Sequence, residues 1–421
     1  MERRTALWAE EIGLPRVARP LSLLWINHFA VSPSDGGGTR HFELSRELTS
    51  RNWHVTVAAS DFHYHSRTYT RRPGAASRAP VPEHIDNVDF LWLWSAPYTS
   101  NNWRRGWNWV SFGQSLSRWQ PNGSAPDVVI GSSPHLFAAL AGARMASRLG
   151  VPFVLEVRDL WPESLLAAGG RKGPAYHAFG AMARHLYTRA DRIIVLARGS
   201  AEHIARHGVD ERKIVYVPNG VDLDAFAARP ESSGDAFTLV YAGAHGPANG
   251  LDAVLDAAEA LREDPRVRFL LVGDGPAKAA LREDAGRRKL SNVEFRDPVA
   301  KNAIPDLFAS ASAGLMVLRD SPLFAYGVSP NKLFDYFGAA LPVICNVPGD
   351  VAGMVADAGA GEQAKDSSGA ALADAIRRLL TRSPAERENM GLAGRAWVAR
   401  EHSRPVLAER LDVMLRELIA R

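Results

Sequence analysis

Residues 127–157 read DVVIGSSPHLFAALAGARMASRLGVPFVLEV, and the pattern changes twice within them. Asp127–Gly131 and Pro152–Val157 are short and almost continuously apolar. A strand covered on both faces looks like this, because neither side of its pleat meets water. Between them Leu136–Leu149 is alanine- and leucine-rich and long enough for several helical turns. Strand, helix and strand in that order make two parallel strands joined by a crossover, the unit of an α/β fold.

The same alternation extends in both directions. Further strands are expected at Leu21–Phe29, Trp53–Ala58, Arg192–Leu196 and Ile214–Val217, with a helix over Thr39–Ser50. A second series follows at Phe237–Ala242, Val267–Val272, Val293–Phe295, Gly314–Leu318 and Pro342–Cys345. Its helices are expected at Gly250–Arg262, Lys278–Lys289 and Pro330–Ala340. The polar stretch AARPESSGDA, residues 227–236, reads as the linker. From Pro384 onward the pattern is helical throughout. With 421 residues, two doubly wound domains in tandem are the simplest architecture. Ligands of such folds bind at the carboxyl ends of the strands. The expected boundaries are 1–226, 227–236 as linker, 237–398, and a returning helix over 399–421.

Composition narrows the function classes. The net charge of +4 is mild and suits a phosphate-bearing ligand or an anionic surface. The single cysteine, Cys345, excludes an internal disulfide, and its PVICNV context reads as a buried strand. No run approaches the roughly 20 apolar residues of a membrane span, and the charged first residues lack a secretory core. A cytoplasmic protein is expected. There is no zinc-type Cys/His spacing, nucleic-acid motif, G-x-S-x-G elbow or P-loop. Nucleic acid is not expected as a partner. Residues 98–119, YTSNNWRRGWNWVSFGQSLSRW, hold four tryptophans and three arginines. They suit either a membrane-facing surface or a core helix with tryptophans at its edge.

Three stretches can carry chemistry. SPSDGGGTRHFELSREL, residues 32–48, places Gly36, Gly37 and Gly38 between a strand and a helix. Such a loop bares backbone N–H groups toward an anion, or it simply turns. In SPNKLFDYFGAALPVI, residues 329–344, Ser329 is the expected N-cap and Pro330 the first helical residue. Lys332 then falls in the first turn, where a helix dipole disfavours it unless a phosphate is bound. Asp335 lies on the same face, able to accept from sugar hydroxyls or to pair with Lys332. EVRDLWPES concentrates Glu156, Arg158, Asp159 and Glu163 after a strand. There Arg158 and Asp159 either line the cleft or form a structural ion pair. YAGAHGPANG and LVGDGPAK are strand-to-glycine turns with His245 and Asp274 as polar residues.

These motifs, in this order, resemble the family 4 glycosyltransferases of the two-domain GT-B type. The likeness runs from about Leu21 to the last helix through INHFAVSPSDGGGTRHFELSREL, VPNGVDLDAF, VGDGPAKAALRE, NVEFRDPV and SPNKLFDYFGAALPVI. SAPYTSNNWRRGWNWVSF and the stretch ending in RDLWPES resemble a narrower branch, the WbuB-like enzymes of bacterial surface-polysaccharide assembly. The resemblance implies retaining, metal-independent transfer from a nucleotide-sugar, with UDP expected and no cofactor. It implies a lipid-linked or saccharide acceptor and peripheral contact with the cytoplasmic membrane through 98–119. Asp335 would bind ribose, while Lys332 with Ser329, Pro330 and Asn331 would face the diphosphate. The backbone from Arg296 to Val299 would read the base. His245 and Asp274 would border the donor, Gly36–Gly38 would close over it, and Arg158 and Asp159 would line the sugar or acceptor side.

The chain departs from the family pattern. Ala244 or His245 stands where the family has an arginine, Asn249 where it has a lysine, and Gly327 where it has its first glutamate. More of the diphosphate charge then falls to Lys332, with Arg319 or Arg158. A UDP-sugar 2-epimerase of the same fold and a non-catalytic sugar-binding protein are the alternatives.

Overall fold

A computed structural model describes residues 19–421 except 36, 73–76, 101, 122, 168, 227–235 and 322–326, and no side chain at 167. Gly36 and nearly all of the expected linker lie outside the described residues.

The first sheet has eight strands. From one edge they are Ile214–Tyr216, Arg192–Val195, Phe153–Val157, Val128–Ser132, Leu21–Ile26, Trp53–Ser60, Val88–Leu93 and Val81–Ile85. All pair in parallel except the last two, which form a hairpin that the sequence pattern did not suggest. Alternate residues of each strand face opposite layers, as a pleat requires. Leu24, Ile26, Leu155 and Val157 face a core shared with the helices Trp103–Arg118, Leu136–Leu149 and Pro174–Arg189. Leu23, Trp25, Val128 and Val154 face the other side. There they meet the helix Arg40–Thr49 and the final helix Arg404–Ile419, whose Leu407, Leu411, Leu415 and Leu418 are all buried.

The second sheet is all parallel, in the order Val293–Arg296, Val267–Val272, Phe237–Ala242, Ala313–Met316, Val343–Cys345 and Gly361–Gln363. Cys345 is buried in this core, where burial pushes its thiol up to about 12, leaving it unreactive. The helix Pro384–His402 covers the second sheet's core through Val398. After Ser403 the chain crosses back to the first.

Two expectations are corrected. The helix after Ser329 begins at Asn331, with Pro330 in the cap position and no capping side chain. Ser329 is engaged elsewhere: its Oγ accepts from the Asn219 N–H at 2.8 Å and its carbonyl from Asn219 Nδ2 at 2.6 Å. The tryptophan segment is also neither of the two alternatives alone. Trp109 and Trp119 pack on the core, while Trp103 and Trp107 face outward.

Candidate active site

Glycines let the strand-end loops of the second sheet nest. A Cβ on Gly273 would sit 1.8 Å from the Gly243 carbonyl, and one on Gly275 would lie 2.6 Å from that of His245. Both glycines also have positive φ. The His245 N–H donates to the Asp274 carbonyl at 2.8 Å, so these loops are pinned by backbone. The His245 ring is fully buried, and burial lowers its pKa. Asp274 is exposed. The Arg296 side chain is taken by Glu294 at 2.6 Å, its carbonyl accepts from Lys278 Nζ, and Val299 is exposed nearby.

Lys332 is half-buried over this nest. Its Nζ donates to Tyr241 Oη at 3.0 Å and lies 4.2 Å from that ring's centre. Burial lowers the ammonium to about 7. It is not paired with Asp335. Asp335 is half-buried too, and burial raises it to about 6 despite the positive fields of Lys301 and Arg404. Among the described residues its carboxylate has no hydrogen bond or ion pair. Arg319 is held by Asp252 at 2.8 Å.

The first sheet supplies the opposite wall. Gly37 has φ of +140°, and a Cβ there would lie 3.1 Å from Tyr64 Oη. A Cβ on Gly38 would come within 3.9 Å of Asn331 Nδ2. The glycine loop and the start of the Asn331–Gly338 helix, 293 positions apart in number, therefore face each other across the cleft. Lys301 bridges the same cleft by contacts to Thr39 and Glu43. Glu43 also meets Arg404 at 2.5 Å. Burial would raise the Glu43 carboxyl, but Arg404 and Lys301 hold it at about 2.

The EVRDLWPES stretch divides. Glu156 is fully buried and paired with Arg40 at 3.1 Å and His41 at 2.9 Å. Burial opposes its charge, but His41 and Arg40 hold it well below the usual carboxylate range. Arg40 also donates to the carbonyls of Val217 and Pro218, so this cluster fastens the helix to two strand ends. Glu163 lies 3.7 Å from His203. Arg158 is half-buried, 3.4 Å from His41 Nδ1, and Asp159 is exposed. Arg158 and Asp159 are not ion-paired with each other.

Several residues at the site escaped the sequence reading. His28 and His135 sit at neighbouring strand ends with rings 4.8 Å apart, and His135 stacks on Trp109 at 5.0 Å. Burial keeps both imidazoles neutral, His28 at about 3. Polar residues closing apolar runs, as in INH and SSPH, were the available signal. Among the described residues no group of three or more His, Cys, Asp or Glu is placed to hold a metal ion.

Comparison with known proteins gives this geometry a family. Residues 35–220 match the Glycosyl transferase 4-like domain, and residues 236–382 match Glycosyl transferases group 1. WcaI of Escherichia coli K12, provisionally named a colanic acid biosynthesis glycosyl transferase, is 28% identical over 232 residues. That match spans 51% of this chain and only 55% of WcaI. The D-inositol 3-phosphate glycosyltransferase of Kineococcus radiotolerans is 25% identical over 85% of each chain. Sucrose-phosphate synthase of Thermosynechococcus elongatus superposes with a TM-score of 0.72 over 95% of this chain and 99% of its own, at 15% identity. HepE of Anabaena, solved with UDP and glucose, gives 0.67 over 94% and 100%, also at 15% identity. Two family domains in tandem, each on its own largely parallel sheet, with the GT-B fold shared across solved structures, place the chain among the family 4 glycosyltransferases.

Proposed function

We propose that the chain transfers a sugar from a UDP-sugar to a lipid-linked or saccharide acceptor in bacterial surface-polysaccharide or glycoconjugate assembly, with retention and without a metal. The observation that carries this reading is the approach of Gly38 to Asn331, which encloses one space between a glycine loop and a lysine-bearing helix start. HepE was solved with UDP in such a fold, and WcaI is named for colanic acid biosynthesis. In this division, residues 1–226 hold the acceptor, 227–236 are the linker, 237–398 hold the donor, and 399–421 return to the first domain.

Departure of a nucleoside diphosphate accumulates negative charge, so stabilising it is the main catalytic demand. Protonated Lys332 and the free N–H groups of the Asn331–Gly338 helix supply that stabilisation, and Gly37 and Gly38 add backbone N–H groups from the other wall. Asp335 accepts from the ribose hydroxyls. The nested loops carrying His245 and Asp274 border the donor, and Arg296 to Val299 contact the base. Arg158 and Asp159 line the sugar and acceptor side. In a front-face displacement the bond from the anomeric carbon to the diphosphate breaks as the bond to the acceptor oxygen forms. The acceptor proton passes to a diphosphate oxygen, so no protein nucleophile is required.

A panel of nucleotide-sugars tested by thermal shift identifies the donor, since a ligand of the native state raises the melting temperature. The full chain is then incubated with that donor and a bacterial lipid extract. The expected result is release of UDP matched by sugar in the extract, with an unchanged anomeric configuration by NMR. Conversion of the donor without extract would reveal an epimerase instead. Donor binding with no UDP release in the presence of extract would reveal a binding protein.

A further inference from the structure

A loop of glycines has more backbone freedom to lose than any other sequence, so left to itself it points nowhere in particular. Backbone N–H groups stabilise a developing charge well only when their direction is fixed beforehand. Something must therefore hold the loop at Gly37 and Gly38, and residues 61–72 of the same domain do so.

Asp35 precedes the glycines. Its Oδ2 accepts from the Ser32 N–H at 3.2 Å, from Ser32 Oγ at 2.8 Å and from Arg71 Nη1 at 2.7 Å. The Asp35 N–H donates to the Ser32 carbonyl at 3.1 Å, so the chain from Ser32 to Asp35 closes into a turn. Arg71 locks that turn a second time, from Nη2 to Ser32 Oγ at 2.9 Å. The Asp35 and Arg71 side chains are only 14% and 12% exposed. Burial opposes the Asp35 charge, but hydrogen bonds from Arg71 and Ser32 hold its carboxyl below the usual range.

Arg71 is itself immobilised. Its Nε donates to Glu83 Oε2 at 3.1 Å, its Nη1 donates also to Thr70 Oγ1 at 2.7 Å, and its guanidinium lies 4.0 Å from the Trp92 ring centre. Trp92 Nε1 donates to the same Glu83 oxygen at 2.6 Å. The next residue, Arg72, is buried and paired with Asp61 at 2.5 Å, and it donates to the Trp92 carbonyl at 3.1 Å. Trp92 lies in the sheet strand Val88–Leu93, so the segment bearing Arg71 is fastened to the rigid part of the domain. The same segment meets the glycines directly, through the Tyr64 hydroxyl beside Gly37. Arg71 has most of its donors spent within the protein and acts through the loop.

We propose that Arg71 is a positioning residue for the transfer reaction: braced on Glu83 and Trp92, it fixes Asp35 and thereby the direction in which Gly37 and Gly38 present their N–H groups to the diphosphate. This rests on the transferase reading above. A lysine cannot replace it, because an ammonium is a point charge without the planar fork that reaches Asp35, Ser32 and Glu83 together.

The test reads loop order and turnover separately in the full chain. Hydrogen–deuterium exchange at the Ser32 and Asp35 amides, both bonded within the turn, speeds up at least about tenfold in Arg71→Met, while the second sheet keeps parental rates. With the donor found by thermal shift, kcat falls about ten- to a hundredfold, as expected of a misplaced group, and donor KM moves less than about threefold. Arg71→Lys keeps less than about half of the lost turnover. Asp35→Ala cuts the contact from the loop side, leaves the Arg71–Glu83 pair in place and reproduces the fall in kcat, which covers an Arg71→Met chain too unstable to assay. Arg71→Met combined with Gly37→Ala costs no more than about twofold beyond the worse single variant, since both act through one loop.

Parental exchange at Ser32 and Asp35, unchanged kcat despite faster exchange, or losses that multiply in the double variant each overturn the proposal. So does a rise in donor KM at constant kcat, which would make Arg71 a binding group. Faster exchange in Arg71→Met, together with a parent chain that turns over no nucleotide-sugar, overturns the transferase reading and leaves the hold of Arg71 on the loop standing.

Discussion

Two groups of ionisable side chains border the same cleft, and they are treated in opposite ways. Glu156 pairs with both Arg40 and His41, and a carboxyl with no solvent exposure stays charged. Lys332 and Asp335 lie one helical turn apart and half-buried, yet neither takes the other as counterion. A buried charge without a partner is expensive, and both residues respond by shifting toward neutrality. The paired group fastens strand ends. The unpaired group is left with electrostatic capacity that a charged ligand would complete, as perturbed groups at functional sites often are.

The largest way to break this comparison is Glu156→Ala. Removing one member of a buried pair strands the others, at a cost of about 3–5 kcal/mol. Denaturant unfolding should show the loss across the whole first domain, and a variant with parental stability would end the structural assignment. Lys332→Ala should do the reverse. Its melting temperature holds or rises, while turnover falls by about 10²–10³ if the lysine faces the leaving group. Steady-state kinetics with unchanged kcat would remove it from the mechanism.

Gly37→Ala comes next. The φ of +140° and the Tyr64 hydroxyl 3.1 Å away resist a side chain. Strain of about 1.4 kcal/mol in the closed loop corresponds to about a tenfold fall in turnover. Comparing that fall with the drop in melting temperature separates the anion cradle from a plain turn.

The smallest expected effect is in pH. Lys332, at about 7 in the free protein, must be protonated to meet a diphosphate, so donor affinity falls as pH rises through 7. Asp335, at about 6, must be ionised to accept from ribose, so affinity also falls as pH drops through 6. Calorimetry in buffers of different ionisation enthalpy should find proton uptake on the alkaline limb and release on the acidic one. Asp335→Asn should abolish the acidic limb alone, and an affinity flat across this range would show that neither group meets the donor.

Local pattern carried most of the architecture, because parallel strands buried on both faces and glycine strand ends are visible a few residues at a time. What stayed hidden was mostly nonlocal. His41 and Glu156 are 115 positions apart, and nothing in either neighbourhood advertises the other. Lys301 and Glu43 meet only because two domains face each other. Ser329 read as a cap by its neighbours, yet Asn219 outbid the helix for both its oxygen atoms. The hairpin Val81–Ile85 to Val88–Leu93 is a local omission. Its Asp86-Asn87 turn has positive φ at both residues, the mirror-image geometry that suits a strand twist.

The final helix has a consequence in the order of synthesis. Leu407, Leu411, Leu415 and Leu418 complete the core beneath the first sheet, although the last strand of that sheet ends at Tyr216. A nascent first domain therefore emerges with one apolar face only partly covered, by the helix Arg40–Thr49. At about 5–20 residues per second, making the intervening second domain takes roughly 10–40 s. For that interval the exposed face must be shielded by water-tolerant local packing or by a chaperone. The first domain reaches its native state only after the second has been made.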